Sequence, residues 1–268
     1  MNFITAFHAE ALPLIEKFQL SKRTEASPFP VFSNDRHNVV ISGMGRALAS
    51  LATQYLFTEV INTPEPIINL GIAGHGELAI GTPFIANRVL HLDEKAVYYP
   101  PPVLKLNIAN SGLQTCDIPE TKYSHPIGYD MEAHGFCSAA YRSITREFVQ
   151  SIKFVSDNPT SPLVSFSPNL ASKIIGTHIE LIEEIANQLK NIFQELQLDP
   201  KIYKMIKELK STYHFTFTQD YQLEKLLRHA YSLGMHPNDV THILNQSSTG
   251  KIFLSVLSQK LEALRTLP

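Results

Sequence analysis

Ile67-Ile68-Asn69-Leu70-Gly71-Ile72-Ala73-Gly74-His75-Gly76 is the stretch on which the fold turns. Its first four residues are a short, mainly apolar run that reads as a buried strand, and the glycines after it read as a tight loop at that strand's carboxyl end. The same pattern recurs on either side. Asn38-Val39-Val40-Ile41-Ser42 runs into Gly43-Met44-Gly45 and then into a buried helix over 47–57. Phe3-Ile4-Thr5-Ala6 precedes residues 10–20, where Leu12, Ile15 and Phe18 have helical spacing. Downstream, 81–91 and 151–155 read as strands, the second ending in Ser156-Asp157. Thr177 and Glu180 read as a capping box opening a helix that carries Ile182, Ala186, Leu189 and Phe193. Strands alternating with helices predict an α/β fold with a mostly parallel sheet covered on both faces, in which ligands collect at the carboxyl ends of strands.

Composition agrees. The 268 residues are 44% hydrophobic and 18% charged, enough apolar material for a sizeable core. A net charge of −2 excludes a generic nucleic-acid binder. Two cysteines, Cys116 and Cys137, exclude a disulfide scaffold and a cysteine zinc site. His8, His75, His125 and His134 lack a metal-ligand spacing, so no metal and no cofactor are expected. The apolar runs fall well short of the roughly 18 residues of a membrane span. No basic segment precedes an apolar one at the start, and a cytoplasmic location is expected.

Texture and charge change near Asp199-Pro200. Residues 200–268 hold nine of the 23 Lys/Arg and five of the 25 Asp/Glu, a net of +4 against −6 for residues 1–199. Before this point strands and helices alternate; after it only helical patterns remain, at 201–209, 221–233, 239–245 and 251–264. Two domains are expected, an α/β domain over 1–198 and an all-helical module over 199–268. Lys201, Lys204, Lys207 and Lys210 stand at i, i+3 spacing and predict a basic stripe, which reads either as a solvated face or as a docking surface for a protein partner.

Four motifs lie in order along the first domain: Ala6-Phe7-His8-Ala9-Glu10-Ala11, Ser42-Gly43-Met44-Gly45-Arg46, Asn69-Leu70-Gly71-Ile72-Ala73-Gly74, and Asp130-Met131-Glu132-Ala133 followed by Val155-Ser156-Asp157. Together they resemble the nucleoside phosphorylase/nucleosidase superfamily, most closely the methylthioadenosine/S-adenosylhomocysteine nucleosidases, over about residues 1–197. The resemblance implies a mixed central sheet flanked by helices, to which the helical module is an addition. It also implies hydrolysis of the N-glycosidic bond of an adenosine-type nucleoside, and a homodimer or higher oligomer with contacts at 47–57 and around Pro100-Pro101-Pro102. It aligns Glu10 with the water-activating glutamate, Glu132 with the ribose-binding glutamate and Asp157 with the aspartate that protonates the purine.

The residue types suit that chemistry. Glycosidic cleavage places positive charge on the ribosyl carbon and negative charge on the leaving base, so it needs an acid and a positioned nucleophile. Asp157 is the candidate acid toward purine N7, and Glu10 the candidate base for water. Glu132 is expected to hold the ribose hydroxyls, Met131 to pack on the sugar, and Met44 with the Ile72, Ala73 and Gly74 loop to approach the ribosyl carbon. An Asp at 157 favours a 6-aminopurine, whereas the neighbouring Asn158 is the amide that a 6-oxo base would need. The pattern departs from the family in four places. Lys153 stands where arginine is common and is expected to contact substrate, Ile72 where Ser or Thr is common, His75 where a glycine is usual, and the segment over 92–129 is short. The alternatives are therefore a purine nucleoside phosphorylase, with Arg46 and Arg88 as phosphate ligands, and a catalytically impaired nucleoside-binding or assembly protein. Each acid also has a plainer reading, Glu10 and Glu132 as helix N-terminal acids and Asp157 as a turn residue.

Overall fold

The computed structural model describes residues 1–162, 167–196 and 200–265, with the main chain alone at 200–203, 217 and 265. Asp199, on the expected boundary, lies outside the described residues; Pro200 opens a helix, where its fixed φ and missing N–H cost nothing. The chain forms two compact units, Met1–Glu195 and Leu196–Pro268.

The first unit is built on nine strands: β1 (Asn2–Thr5), β2 (Ser21–Lys22), β3 (Val31–Ser33), β4 (Asn38–Ile41), β5 (Ile67–His75), β6 (Pro83–His91), β7 (Ala109–Thr115), β8 (Gly128–Asp130) and β9 (Val149–Asp157). They form one sheet in the order β2-β3-β4-β1-β5-β8-β7-β6-β9, and β9 pairs again with β5. Strands β5, β8, β7, β6 and β9 thereby close into a ring. The sheet is mixed rather than mostly parallel, because β2–β3, β3–β4, β5–β8 and β6–β9 are antiparallel.

Five helices cover the sheet: α1 (His8–Lys17), α2 (Arg46–Tyr55, continued by a π-turn over Leu56–Val60), α3 (Ala133–Ser143), α4 (Pro168–Thr177) and α5 (Ile179–Leu196). The pleat sends successive side chains to opposite faces. Phe3 and Ile68 pack into one core with Leu14 of α1, Ile175 of α4 and Ile182 of α5. Ile4 and Ile67 pack into the other with Ala52 of α2 and Phe136 of α3. Each such Ile, Leu or Phe contributes about 1.5–3 kcal/mol.

Three local expectations are corrected. The glycines after Leu70 do not form a loop; they continue β5 to His75, paired with β9 and, at Gly74 and His75, with β8. Thr177 does not open a helix. It closes α4, and its hydroxyl donates to the carbonyl of Lys173 at 2.9 Å, while Glu180 pairs with Lys17. Residues 92–129 contain β7 and part of β8, which carry too little apolar alternation to be seen in advance.

The second unit is all-helical: α6 (Pro200–Thr212), α7 (Phe217–Ser232), α8 (Pro237–Gln246) and α9 (Gly250–Arg265) around Leu209, Leu227, Ile243, Phe253 and Leu257. Gly234 ends α7 at φ +78, a left-handed position where glycine carries no Cβ penalty, and the Gly234 and Met235 N–H groups close the helix onto Tyr231 and Ala230. Of the expected basic stripe, the Lys201 side chain lies outside the described residues; Lys204 lies 3.9 Å from Glu208, and Lys210 pairs with Asp220 and Glu224 of α7.

Candidate active site

Four buried carboxylates and one buried ammonium gather at the carboxyl ends of the central strands. Glu10 sits in the first turn of α1, directly after β1. Its Oε2 accepts from the backbone N–H groups of Ala6 (2.9 Å) and Phe7 (3.0 Å), and its Oε1 from that of Ile72 (2.9 Å). The plain reading of Glu10 as a helix-start acid is thus correct but incomplete, since one oxygen reaches across to β5. Gly71 makes that possible, because a Cβ there would stand 2.6 Å from Oε1. Burial raises the carboxyl above its usual range, against the pull of Lys153 and the three N–H donors.

Glu132 sits at the start of α3. Its Oε1 accepts from the N–H of Gly45 at 2.9 Å and its Oε2 from that of Met131 at 3.3 Å. Burial pushes it up to about 7, with Lys153 opposing and Asp130 assisting. The Gly45 contact depends on Gly43 and Gly45, at φ +82 and +105, which turn the chain from β4 into α2. It also depends on Gly135, where a Cβ would stand 1.8 Å from the Arg46 carbonyl oxygen.

Lys153 is fully buried and bonds Asp130 at 2.8 Å. Desolvation would lower it, but Asp130, Glu132 and Glu10 together hold it above its ordinary value. The same Asp130 accepts from Thr115 Oγ1 (2.7 Å) and the N–H of Ala133 (2.8 Å). Asp130 was legible only as part of the motif around Glu132; its role as the counter-ion of Lys153 had no signal in the sequence.

Asp157 ends β9. Between Ala73 and Gly74 the β5–β9 register shifts by one residue, so that Gly74 pairs with Asp157. Such a bulge re-aims the side chain at a strand end. One Asp157 oxygen accepts from Ser156 Oγ and the other from the hydroxyl of Tyr123. Gly74 leaves the room, since its Cβ would lie 2.7 Å from Asp157 Oδ2. Tyr123 was missed at the sequence level, where nothing in the aperiodic segment before β8 marks it.

The remaining expected residues are placed as follows. Ile72 offers Glu10 its N–H rather than its side chain. Ala73 is buried in β5, Met131 is half-buried beside Glu132, and Met44 is 52% exposed between the two positive-φ glycines. Lys153 bonds Asp130 and lies wholly out of solvent. Asn158 is committed to its own turn: its amide donates to Leu78 O, and its oxygen accepts from Thr160 and Ser161. It is therefore not the base-facing amide that a 6-oxo purine would need. Arg46 is held by Glu94 (2.6 Å) and Asp117 (2.9 Å). His75, in place of a family glycine, accepts the N–H groups of Glu77 and Leu78 on Nδ1 and meets Ser111 through Nε2. Among the described residues one group, His91, Asp93 and Asp117, could bring metal ligands together. There the Asp117 carboxylate already serves Arg46, and His91 Nδ1 accepts the Asp93 N–H.

The sequence matches no protein-family model and no curated protein. Solved structures do resemble it. One is the apo 5′-methylthioadenosine nucleosidase of Arabidopsis thaliana, at 22% identity and TM-score 0.57 over 69% of this chain and 94% of that one. Another is the 5′-methylthioadenosine/S-adenosylhomocysteine nucleosidase of Colwellia psychrerythraea in complex with adenine, at 20% identity and TM-score 0.55 over 70% and 95%. A third is the futalosine hydrolase of Helicobacter pylori, at 12% identity and TM-score 0.57 over 70% and 97%. The chain has the nucleoside phosphorylase/nucleosidase fold, with a central mixed sheet, flanking helices and a C-terminal helical region.

Proposed function

We propose that this chain is an N-glycosyl hydrolase that cleaves an adenosine-type nucleoside with water, and that residues 1–198 carry the reaction. The observation that carries the reading is the pair of glycines in β5. Gly71 and Gly74 each stand where a Cβ would collide with a carboxylate, Glu10 at one and Asp157 at the other. One buried strand is thus hollowed at two points to seat a base and an acid.

The lone pairs support the division of labour. A carboxylate has about four acceptor sites, and backbone N–H groups take three of those on Glu10. The fourth is left to accept from a water, and burial makes Glu10 the stronger base. Glu132 uses one acceptor site on each oxygen for a backbone N–H and keeps others for the ribose hydroxyls. Asp130 balances Lys153, so an ionised Glu10 or Glu132 leaves the cluster net negative, which favours positive charge developing on the ribosyl carbon. Asp157 is assigned the proton transfer to purine N7. With Asn158 turned away, a carboxyl rather than an amide serves the base, which suits a 6-amino group.

Hydrolysis is favoured over phosphorolysis because Glu10 would repel phosphate and Arg46 is already paired with two carboxylates. Release of adenine from 5′-methylthioadenosine, assayed with and without phosphate in wild type and Glu10→Gln, tests this. Phosphate-independent release that Glu10→Gln abolishes, with nucleoside binding retained, is expected. Phosphate-dependent release, or undiminished turnover in the variant, would reject the assignment.

Met44, Leu48 and Leu51 are exposed on and before α2 at 52%, 42% and 55%. We assign this apolar face to self-association, for which light scattering at micromolar concentration is the check; a monomer throughout would refute it. The helical module over 199–268 is proposed to dock a protein partner, and Lys207, which forms no ion pair among the described residues, favours an acidic one; an unchanged partner profile in a Lys204/Lys207 double-alanine variant would count against it. Among the described residues no helix is long and apolar enough to cross a membrane.

A further inference from the structure

Tyr123 raises a question that the proposed reaction does not answer. Its hydroxyl donates to Asp157 Oδ2, the oxygen beside Gly74, while Ser156 Oγ takes the other oxygen. Each oxygen of the assigned proton donor thus spends one acceptor site on an O–H of the protein itself, and Asp157 is only 4% exposed, so a base reaches it once a covering group moves. The ring, only 6% exposed, lies against Gly74, where a Cβ would stand 2.9 Å from Cε1. It also meets the ring of Tyr129 edge-on at 6.1 Å. The backbone of Tyr123 is left-handed at φ +49, an unfavourable state for a bulky residue that persists only when its surroundings hold it there.

The loop is anchored on both sides of this residue. The Gly76 N–H donates to the carbonyl of Ile127 at 3.0 Å, and the His125 carbonyl packs where a Gly76 Cβ would be. Upstream, Asp117 ties the start of the loop to Arg46 at 2.9 Å, and Glu120 accepts the N–H groups of Thr121 and Lys122. A backbone rotation confined to the residues around Tyr123 would withdraw the ring with these anchors kept, and it relaxes the left-handed φ.

We propose that Tyr123 is a gating residue of the purine site: its hydroxyl holds Asp157 Oδ2 in the empty chain and must yield that oxygen to the incoming base. The inference rests on the nucleosidase reading of Asp157. A purine that reaches Asp157 past the withdrawn ring does so at the cost of the Tyr123 hydrogen bond, so the resident hydroxyl weakens the binding of every base.

The test is adenine binding by calorimetry to wild type, Tyr123→Phe and Tyr123→Ala, with 5′-methylthioadenosine hydrolysis assayed alongside. A hydrogen bond to a charged group is worth enough that Tyr123→Phe should bind adenine roughly ten- to hundredfold more tightly than wild type. A purely structural tyrosine would lose affinity on substitution, so the gain is the distinguishing sign. The phenylalanine variant keeps the ring and its packing, so the experiment stands if Tyr123→Ala does not fold. Equal or weaker adenine binding by Tyr123→Phe, in a chain whose wild type hydrolyses the nucleoside, would overturn the gate and leave the nucleosidase reading intact. Absence of both adenine binding and hydrolysis in wild type and variants would overturn the two together.

Discussion

The two units of this chain treat charge in opposite ways. The α/β unit buries Glu10, Asp130, Glu132, Lys153 and Asp157, each at most 7% exposed. Among the described residues the helical unit buries no charged side chain, and Ser247 is its one buried polar residue. Its lysines and acids meet on the outside, where pairing is worth little. Buried charge is costly unless partnered, and replacing it with apolar residues is often neutral or stabilising. A unit that keeps five such groups buried across β8, β9 and the starts of α1 and α3 carries a burden that packing alone does not require, whereas the helical unit is accounted for by its amphipathic helices. The contrast supports the proposal that the chemistry lies in the first unit.

The contrast can be broken or sharpened by substitution. The largest effect is expected at Asp157. If it donates the proton, Asp157→Asn lowers kcat on an adenosine-type substrate by about 10²–10⁴-fold; a wild-type kcat on the best substrate would remove it from that role. Next is Lys153→Met, which strands Asp130 in the core and should cost about 3–5 kcal/mol in urea unfolding of the α/β unit. An unchanged midpoint would mean that the carboxylates take up protons rather than depend on the ammonium.

Glu132 supplies a pH test of intermediate size. Its folded value of about 7 exceeds the ordinary 4.5, so the folded state binds the proton more tightly than the unfolded chain. The associated stability is fully present below pH 4.5 and is lost as pH rises through about 7. Relative to Glu132→Gln, wild type should therefore lose up to about 3 kcal/mol between pH 4.5 and pH 8. A difference in urea midpoint that stays constant over that range would show that Glu132 ionises freely. The smallest effect belongs to the helical unit. Lys210→Ala, which removes two half-exposed pairs, should change stability by less than about 1 kcal/mol. A larger loss would show that this unit also depends on charge.

Much of the frame was legible in advance, because β-branched runs, helical spacing and the order of four motifs are local signals. The errors share a physical cause. Glycine reads as a turn in isolation, yet Gly71 and Gly74 lie inside β5 because a neighbouring carboxylate needs the volume of each missing side chain. Thr177 looked like a cap until the preceding helix, opened by Ser167 and Pro168, was seen to run up to it. Tyr123 and the Asp130–Lys153 bond are tertiary facts, joining residues 34 and 23 apart along the chain.

The closed ring of strands has a consequence for how the protein fails. Among the described strands only β2 has a single neighbour, and it is two residues long and ends in Lys22. A polymer grown by strand addition would have to start from those two residues, where a charged side chain and short length both oppose pairing. Under mild stress the sheet therefore offers almost no template for amyloid-like stacking, and turbidity in a destabilised variant should follow global unfolding rather than precede it.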